Sequence, residues 1–265
     1  MSGVAARMGL RLAAAGVIAF LHLPILVILL FAFNGDRGQS WPIREFTTKW
    51  FGDALQNDSL RAAVLLSLEA AIGATALALL FGSLAAFAVH RFRFFGRETV
   101  SFLLVLPLAL PGIVTGMALN ATIHTAGIGF TLFTIIVGHA TFCIVVVYNN
   151  VLARLRRMPR SVEEASADLG ANPAQTFRHV TFPIMRGAVL AGALLAFALS
   201  FDEVIVTTFT AGTQQTLPIW ILGNLRQANQ RPIVNVVAVA IILLTAIPIY
   251  LSQRFGGEES GSSAL

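Results

Sequence analysis

Apolar residues in this chain come in long runs, without the alternation of a strand or the one-sided stripe of a soluble helix. A helix needs about 20 apolar residues to cross the hydrocarbon core. Six stretches qualify, at 12–33, 62–89, 100–122, 130–152, 187–209 and 233–251, so the pattern predicts an all-α membrane protein with six transmembrane helices. The second is longer than a bilayer requires and should tilt or protrude. Pro24 predicts a kink in the first. Pro107 and Pro111, followed by Gly112, predict a break in the third, of a kind tolerated where backbone is buried in protein or lines a watery cavity. Arg7 and Arg11 ahead of the first stretch resemble the start of a signal peptide. The apolar run behind them exceeds the ~7–15 residues of a cleavable segment and no A-x-A site follows, which predicts a retained span.

Composition sharpens the choice of solvent. The chain is 56% hydrophobic and 12% charged, with mean hydropathy +0.78, whereas soluble domains carry about 25% charged residues. Too few charges remain to wet a globule, so the bilayer is the expected surroundings. The net charge of +5 is better explained by loop anchors than by nucleic acid, which is not expected as a partner. With the amino terminus inside, twelve of the 18 Lys and Arg residues fall in inner segments, most densely at 91–97 and 154–160. That bias predicts both termini to be cytoplasmic. Segment 34–60 is then an outer loop, with Trp41 and Trp50 suited to the interfacial belt, and 210–232 is the other sizeable outer segment. The Gly/Ser-rich tail 256–265 is expected to be disordered. Cys143 sits in an apolar run as an inert thiol, and the five histidines lack metal-ligand spacing, so no metal is expected. Gly82-x-x-x-Ala86 and Gly112-x-x-x-Gly116 are spacings that let helices approach closely, within the bundle or at a subunit seam.

The long inner loop, 153–186, has a distinctive order. Residues 162–169 form a plausible short helix, opened by Ser161 as cap, with Glu163 and Glu164 in its first turn at the positive end of the dipole. Gly170 ends it, and a second helix should start at Pro173 after Asn172 and run to roughly His179. The two would form a compact protrusion fit for a groove on a soluble partner. Glu164-Ala165-Ser166, Gly170 after three more residues, and Val180-Thr181-Phe182-Pro183 after nine more resemble the EAA loop of ABC importer permeases. The family pattern is Glu-Ala-Ala, three residues, Gly, nine residues, Ile-x-Leu-Pro. Ser166, Val180 and Phe182 depart from it while keeping small or apolar character. The runs 106–114 and 200–204, with Thr210-Ala211-Gly212 and 216–220, are similar to the second permease subunit of spermidine/putrescine-type importers, and the likeness covers about 62–251.

The resemblance implies a type I ABC importer transmembrane domain over the whole chain, 1–265, in a bacterial inner membrane. It implies a homologous permease as heterodimer partner, two copies of a cytoplasmic ABC ATPase and an extracytoplasmic substrate-binding protein. The coupling contacts would centre on Glu163, Glu164, Ala165, Ser166, Asp168, Leu169, Gly170 and Pro183. No phosphate-binding Gly-x-x-x-x-Gly-Lys-Ser/Thr loop occurs in the chain, so ATP and its Mg are expected on the partner, with no cofactor and no catalytic residue here.

Three acids fall within the predicted spans: Glu69, Asp202 and Glu203. Each costs roughly 2.5–3.5 kcal/mol at mid-bilayer and should face protein or water. With no mid-span Lys or Arg, they favour a cationic solute. On one continuous helix Asp202 and Glu203 would point about 100° apart, so one is expected on the pathway while the other pairs with a neighbour or caps a helix end. Thr115 and Asn120 are candidate neutral hydrogen-bonding groups, and Trp220 either gates the outer mouth by cation–π contact or anchors in the interface. A polyamine fits this set, as would 4-aminobutyrate or an aminoalkylphosphonate. A stand-alone ion-coupled carrier leaves the loop spacing unexplained. An intramembrane enzyme would need a His-Glu-x-x-His or Gly-x-Ser-x-Gly that is absent.

Overall fold

A computed structural model describes the backbone of residues 2–256 and the side-chain surroundings of residues 6–244. The elements in chain order are α1 (Ser2–Ala32), α2 (Lys49–Leu55), α3 (Asp58–Arg91), α4 (Arg97–Ala109), α5 (Gly112–Thr125), α6 (Leu132–Arg157), α7 (Arg160–Asp168), α8 (Pro173–Thr176), a π-helical turn (Phe177–Thr181), α9 (Phe182–Phe201), α10 (Ile205–Thr210), α11 (Leu217–Leu225) and α12 (Arg231–Gly256). No strand occurs among the described residues beyond an isolated Asn34–Phe46 bridge. Four helical segments are long and apolar enough to span a membrane: Ala6–Ala32, Asp58–Arg91, Leu132–Arg157 and Pro173–Phe201. The pair α4–α5 passes the same test together but is bent by 104°. The bend falls where Pro111 supplies no N–H and holds Leu110 in an extended conformation. The expected sixth span is helical, and its described apolar part is Arg231–Leu244. Residues 257–265 of the expected tail lie outside the described residues.

The chain divides into two compact units, 1–58 with 221–265, and 59–220. In the first, α1 packs on α12 and α12 on α2. Pro24 lies inside α1. The loop 34–60 closes on Trp50, which is buried and donates from Nε1 to the Asn34 carbonyl at 2.8 Å, with Arg37 and Lys49 over its ring. Trp50 is therefore a core residue of the loop, not the interfacial anchor expected of it. Trp41 remains exposed.

In the second unit α3 presents a buried stripe of small residues, Ala63, Ser67, Ala70, Ala71, Ala74, Ala78, Gly82 and Ala86. Spacings of three and four place them on one face. A Cβ on Gly82 would stand 2.7 Å from the Ile144 carbonyl oxygen, so the backbones of α3 and α6 touch there. Cys143, Val147, Tyr148, Val151 and Leu155 of α6 fill the core between α3 and α9. The other small-residue spacing serves α10: Gly112 faces Ile205, and Gly116 leaves room for the Phe209 ring. Both spacings are used in packing within the chain.

Candidate functional site

The loop 153–186 is built from its caps outward. α7 begins at Arg160 with Pro159 ahead of it, and no side chain caps it. Ser161 lies inside the helix rather than at its cap, because Pro159 already fixes an extended entry and its successor starts the helix. Only Glu163 falls in the first turn. At the other end Gly170 has φ +84°, its N–H bonds the Ala167 carbonyl, and the Ala171 N–H reaches back to Ser166. These two bonds form a Schellman stop, a geometry in which a non-glycine residue is strained. Asn172 then caps α8: its side chain accepts from the Gln175 N–H while the Gln175 side chain accepts from the Asn172 N–H, each at 2.9 Å.

The second helix does not stop near His179. It runs from Pro173 to Phe201 as one helical segment, so the fifth span begins within the loop. Pro183 explains how. It has no N–H for the His179 carbonyl, and the chain widens into a π-helical turn just before it, with the Phe182 N–H bonding Phe177. The loop and the span are thus one mechanical piece.

Side-chain bonds divide α7 into a held face and a free face. Glu163 accepts from Thr181 at 2.7 Å through one carboxylate oxygen and from Arg91 at 3.0 Å through the other. Ser166 pairs with Thr176 at 3.0 Å. Glu164, Ala165, Asp168 and Leu169 are exposed, and the Leu169 side chain is 89% exposed. Glu164 with Asp168, and Ala165 with Leu169, are i,i+4 pairs, so the free residues form one edge.

The far end of the fifth span departs from expectation. The continuous helix predicted to Phe209 ends at Phe201, and Asp202 is its C-cap at φ −94°, ψ 3°. The relation of about 100° between Asp202 and Glu203 therefore does not hold. Two causes act together. Val204–Thr208 is β-branched throughout, which weakens the helix. Glu203 also offers its carboxylate to the Val206 N–H at 2.9 Å, starting α10 afresh. Asp202 is exposed and Glu203 half-buried. Asn120 donates to the Phe209 carbonyl at 2.7 Å, and Thr115 Oγ1 is buried without a described partner, so both lie on the α5 that carries α10. Glu69 stands on an exposed face of α3 and bonds none of these groups. Trp220 is 2% exposed and donates from Nε1 to Ser59 at 2.9 Å, a packed position instead of a gate or belt residue.

Comparison with known proteins fits this geometry. Residues 78–255 match the family described as "Binding-protein-dependent transport system inner membrane component". The chain belongs to that family. It is 34% identical to the spermidine/putrescine transport system permease protein PotC of Haemophilus influenzae, over 89% of this chain and 92% of that one. It is 35% identical to the putrescine transport system permease protein PotI of Escherichia coli strain K12, over 87% and 83%. A solved chain of a bacterial ABC transporter involved in the import of the acidic polysaccharide alginate has the same fold, with TM-score 0.74 at 16% identity over 97% of each chain. The chain is therefore a multi-pass importer permease, a component of a larger transporter.

One polar residue of this permease escaped sequence reasoning. His139, 1% exposed on α6, bridges the break in the fifth span, with Nδ1 2.7 Å from Ser200 Oγ and Nε2 2.8 Å from Thr207 Oγ1. Thr207 donates its only hydroxyl proton to the Glu203 carbonyl, so it must accept from His139. Nε2 of the imidazole is therefore a donor. A lone histidine in an apolar run gives no spacing signal that points to Ser200 or Thr207.

Proposed function

We propose that this permease passes a small amine-bearing solute, a polyamine such as putrescine or spermidine, across the bacterial inner membrane, driven by a separate ATPase. Six crossings with both termini cytoplasmic agree with the distribution of Lys and Arg and place α7 on the ATPase side. The observation that carries the reading is the free edge Glu164–Ala165–Asp168–Leu169 on a helix locked to the fifth span. A partner that grips this edge moves Pro173–Phe201 with it, and the Asp202–Glu203 break lies at the other end of that helix. ATP and Mg would be held by two ATPase copies, a second permease would complete the pathway, and a binding protein would deliver the solute from outside. The names of the PotC and PotI relatives support the substrate class. So do Asp202 and Glu203, two acids at the break that ends the fifth span, with no basic residue next to them in the chain.

Glu164→Lys or Gly170→Asp should abolish ATP-dependent putrescine uptake in proteoliposomes holding the complete transporter, with insertion intact. Gly170→Asp puts a side chain at φ +84° and loosens the stop. Normal uptake in either variant at normal protein level would remove the loop from coupling. Asp202→Asn and Glu203→Gln test the cation path. Glutamine keeps an oxygen for the Val206 N–H, so a fall in uptake in Glu203→Gln reports charge and not capping. Unchanged uptake in both variants would exclude the path.

A further inference from the structure

The link between α3 and α4 holds a set of groups to which the proposed transport role assigns no part. Phe92, Phe94 and Phe95 are exposed, Phe95 fully. Gly96, at φ +81°, turns the chain into α4, whose first turn has no side-chain cap. Behind the link lies a cleft of about 220 Å³ lined by Val89, Arg97, Glu98, Ser101 and Arg156, from the ends of α3, α4 and α6. A second hollow along the link shares Arg97 and Glu98 and adds Arg93 and the Phe94–Phe95 ledge.

Neither Arg97 nor Arg156 has a hydrogen bond or ion pair with any described side chain, unlike Arg91, which is held by Glu163. Arg97, Arg156 and Arg160, from three elements, all act on His90 at the end of α3, with Glu163 opposing them. The Glu98 carboxylate offsets only part of this charge. Two arginines from separate helices line one cleft, and a guanidinium is suited to phosphate. The cleft opens where membrane-crossing helices end, and the hollow that shares its Arg97 and Glu98 carries the phenylalanines.

We propose that this cleft binds the phosphodiester headgroup of an anionic phospholipid, with Arg97 and Arg156 on the phosphate and the acyl chains lying over Phe94 and Phe95. Basic pockets between helix ends at a membrane surface suit such headgroups, and exposed phenylalanines belong in the acyl boundary instead of water. The site is separate from the α7 edge and does not rest on the identity of the transported solute.

The test uses the complete transporter in nanodiscs of phosphatidylcholine mixed with phosphatidylglycerol, and counts each lipid retained per complex by mass spectrometry after mild delipidation. Wild type should retain phosphatidylglycerol preferentially, and each of Arg97→Gln and Arg156→Gln should lower that retention about fivefold. Arg97→Lys/Arg156→Lys should keep much of the preference, which guards against misfolding, and Arg226→Gln should keep all of it. Phe94→Ala/Phe95→Ala should weaken phosphatidylglycerol retention. Wild-type retention in Arg97→Gln/Arg156→Gln would overturn the proposal. Displacement of the lipid by inorganic phosphate at millimolar concentration would mark a free-anion site, and release of the ATPase instead of lipid would mark a protein contact. Either result would overturn the lipid assignment.

Discussion

Gly82 sets the separation of α3 and α6. Its missing Cβ is what allows the Ile144 carbonyl and the Val147 Cβ to sit where they do. Gly82→Val should overpack this seam and destabilise the permease by about 1–3 kcal/mol, read as a lowered melting temperature in detergent. Gly52, with open space around it, should tolerate alanine without such a loss. His139 is the polar counterpart, tying Ser200 to Thr207 across the broken span. His139→Ala should cost about 1–3 kcal/mol through partners left unpaired. A cycle with Ser200→Ala should show non-additivity above roughly 0.5 kcal/mol, and strict additivity would dissolve the bridge. The glycine was legible because spacing by four is itself the signal for close helices. The histidine was not, since its partners lie 61 and 68 residues further along the chain.

At the scale of elements, the fifth span is where sequence and structure part. Hydropathy places it at 187–209, but the helix occupies Pro173–Phe201. The early start was hidden because Gln175, Arg178 and His179 are polar, and a hydropathy window does not see a helix that continues into water. The early end was hidden because Val204–Thr208 reads as apolar while its branched side chains and the Glu203 cap break the helix. The order Glu-Ala-Ser, Gly170, Pro183 was fully legible, and so was the left-handed stop at Gly170. Sequence alone could not separate the held Glu163 from the free Glu164, since that depends on Arg91 from a distant helix. The anchoring makes a prediction of its own. Glu163→Ala removes the acceptor shared by Thr181 and Arg91 and should lower transport per ATP hydrolysed, with ATPase recovery retained. Loss of ATPase binding in that variant would place Glu163 on the docking edge instead.

For the whole molecule, composition and six apolar runs identified the solvent, and the family match and the shared fold agree with an importer permease. The unit 59–220 is organised by a buried seam of α3 with α6 and α9, whereas in the other unit α1 packs on α12 but leaves most of its length exposed. What the chain needs from outside is marked by its own exposed chemistry, above all a leucine 89% exposed at the end of a loop helix. The most direct measurement of the central claim is recovery of the ATPase with the tagged permease in mild detergent, comparing wild type with Leu169→Asp at equal permease level. Wild type should bring down stoichiometric ATPase, and Leu169→Asp should lose most of it. Equal recovery from both would contradict the assignment of the α7 edge as the docking site.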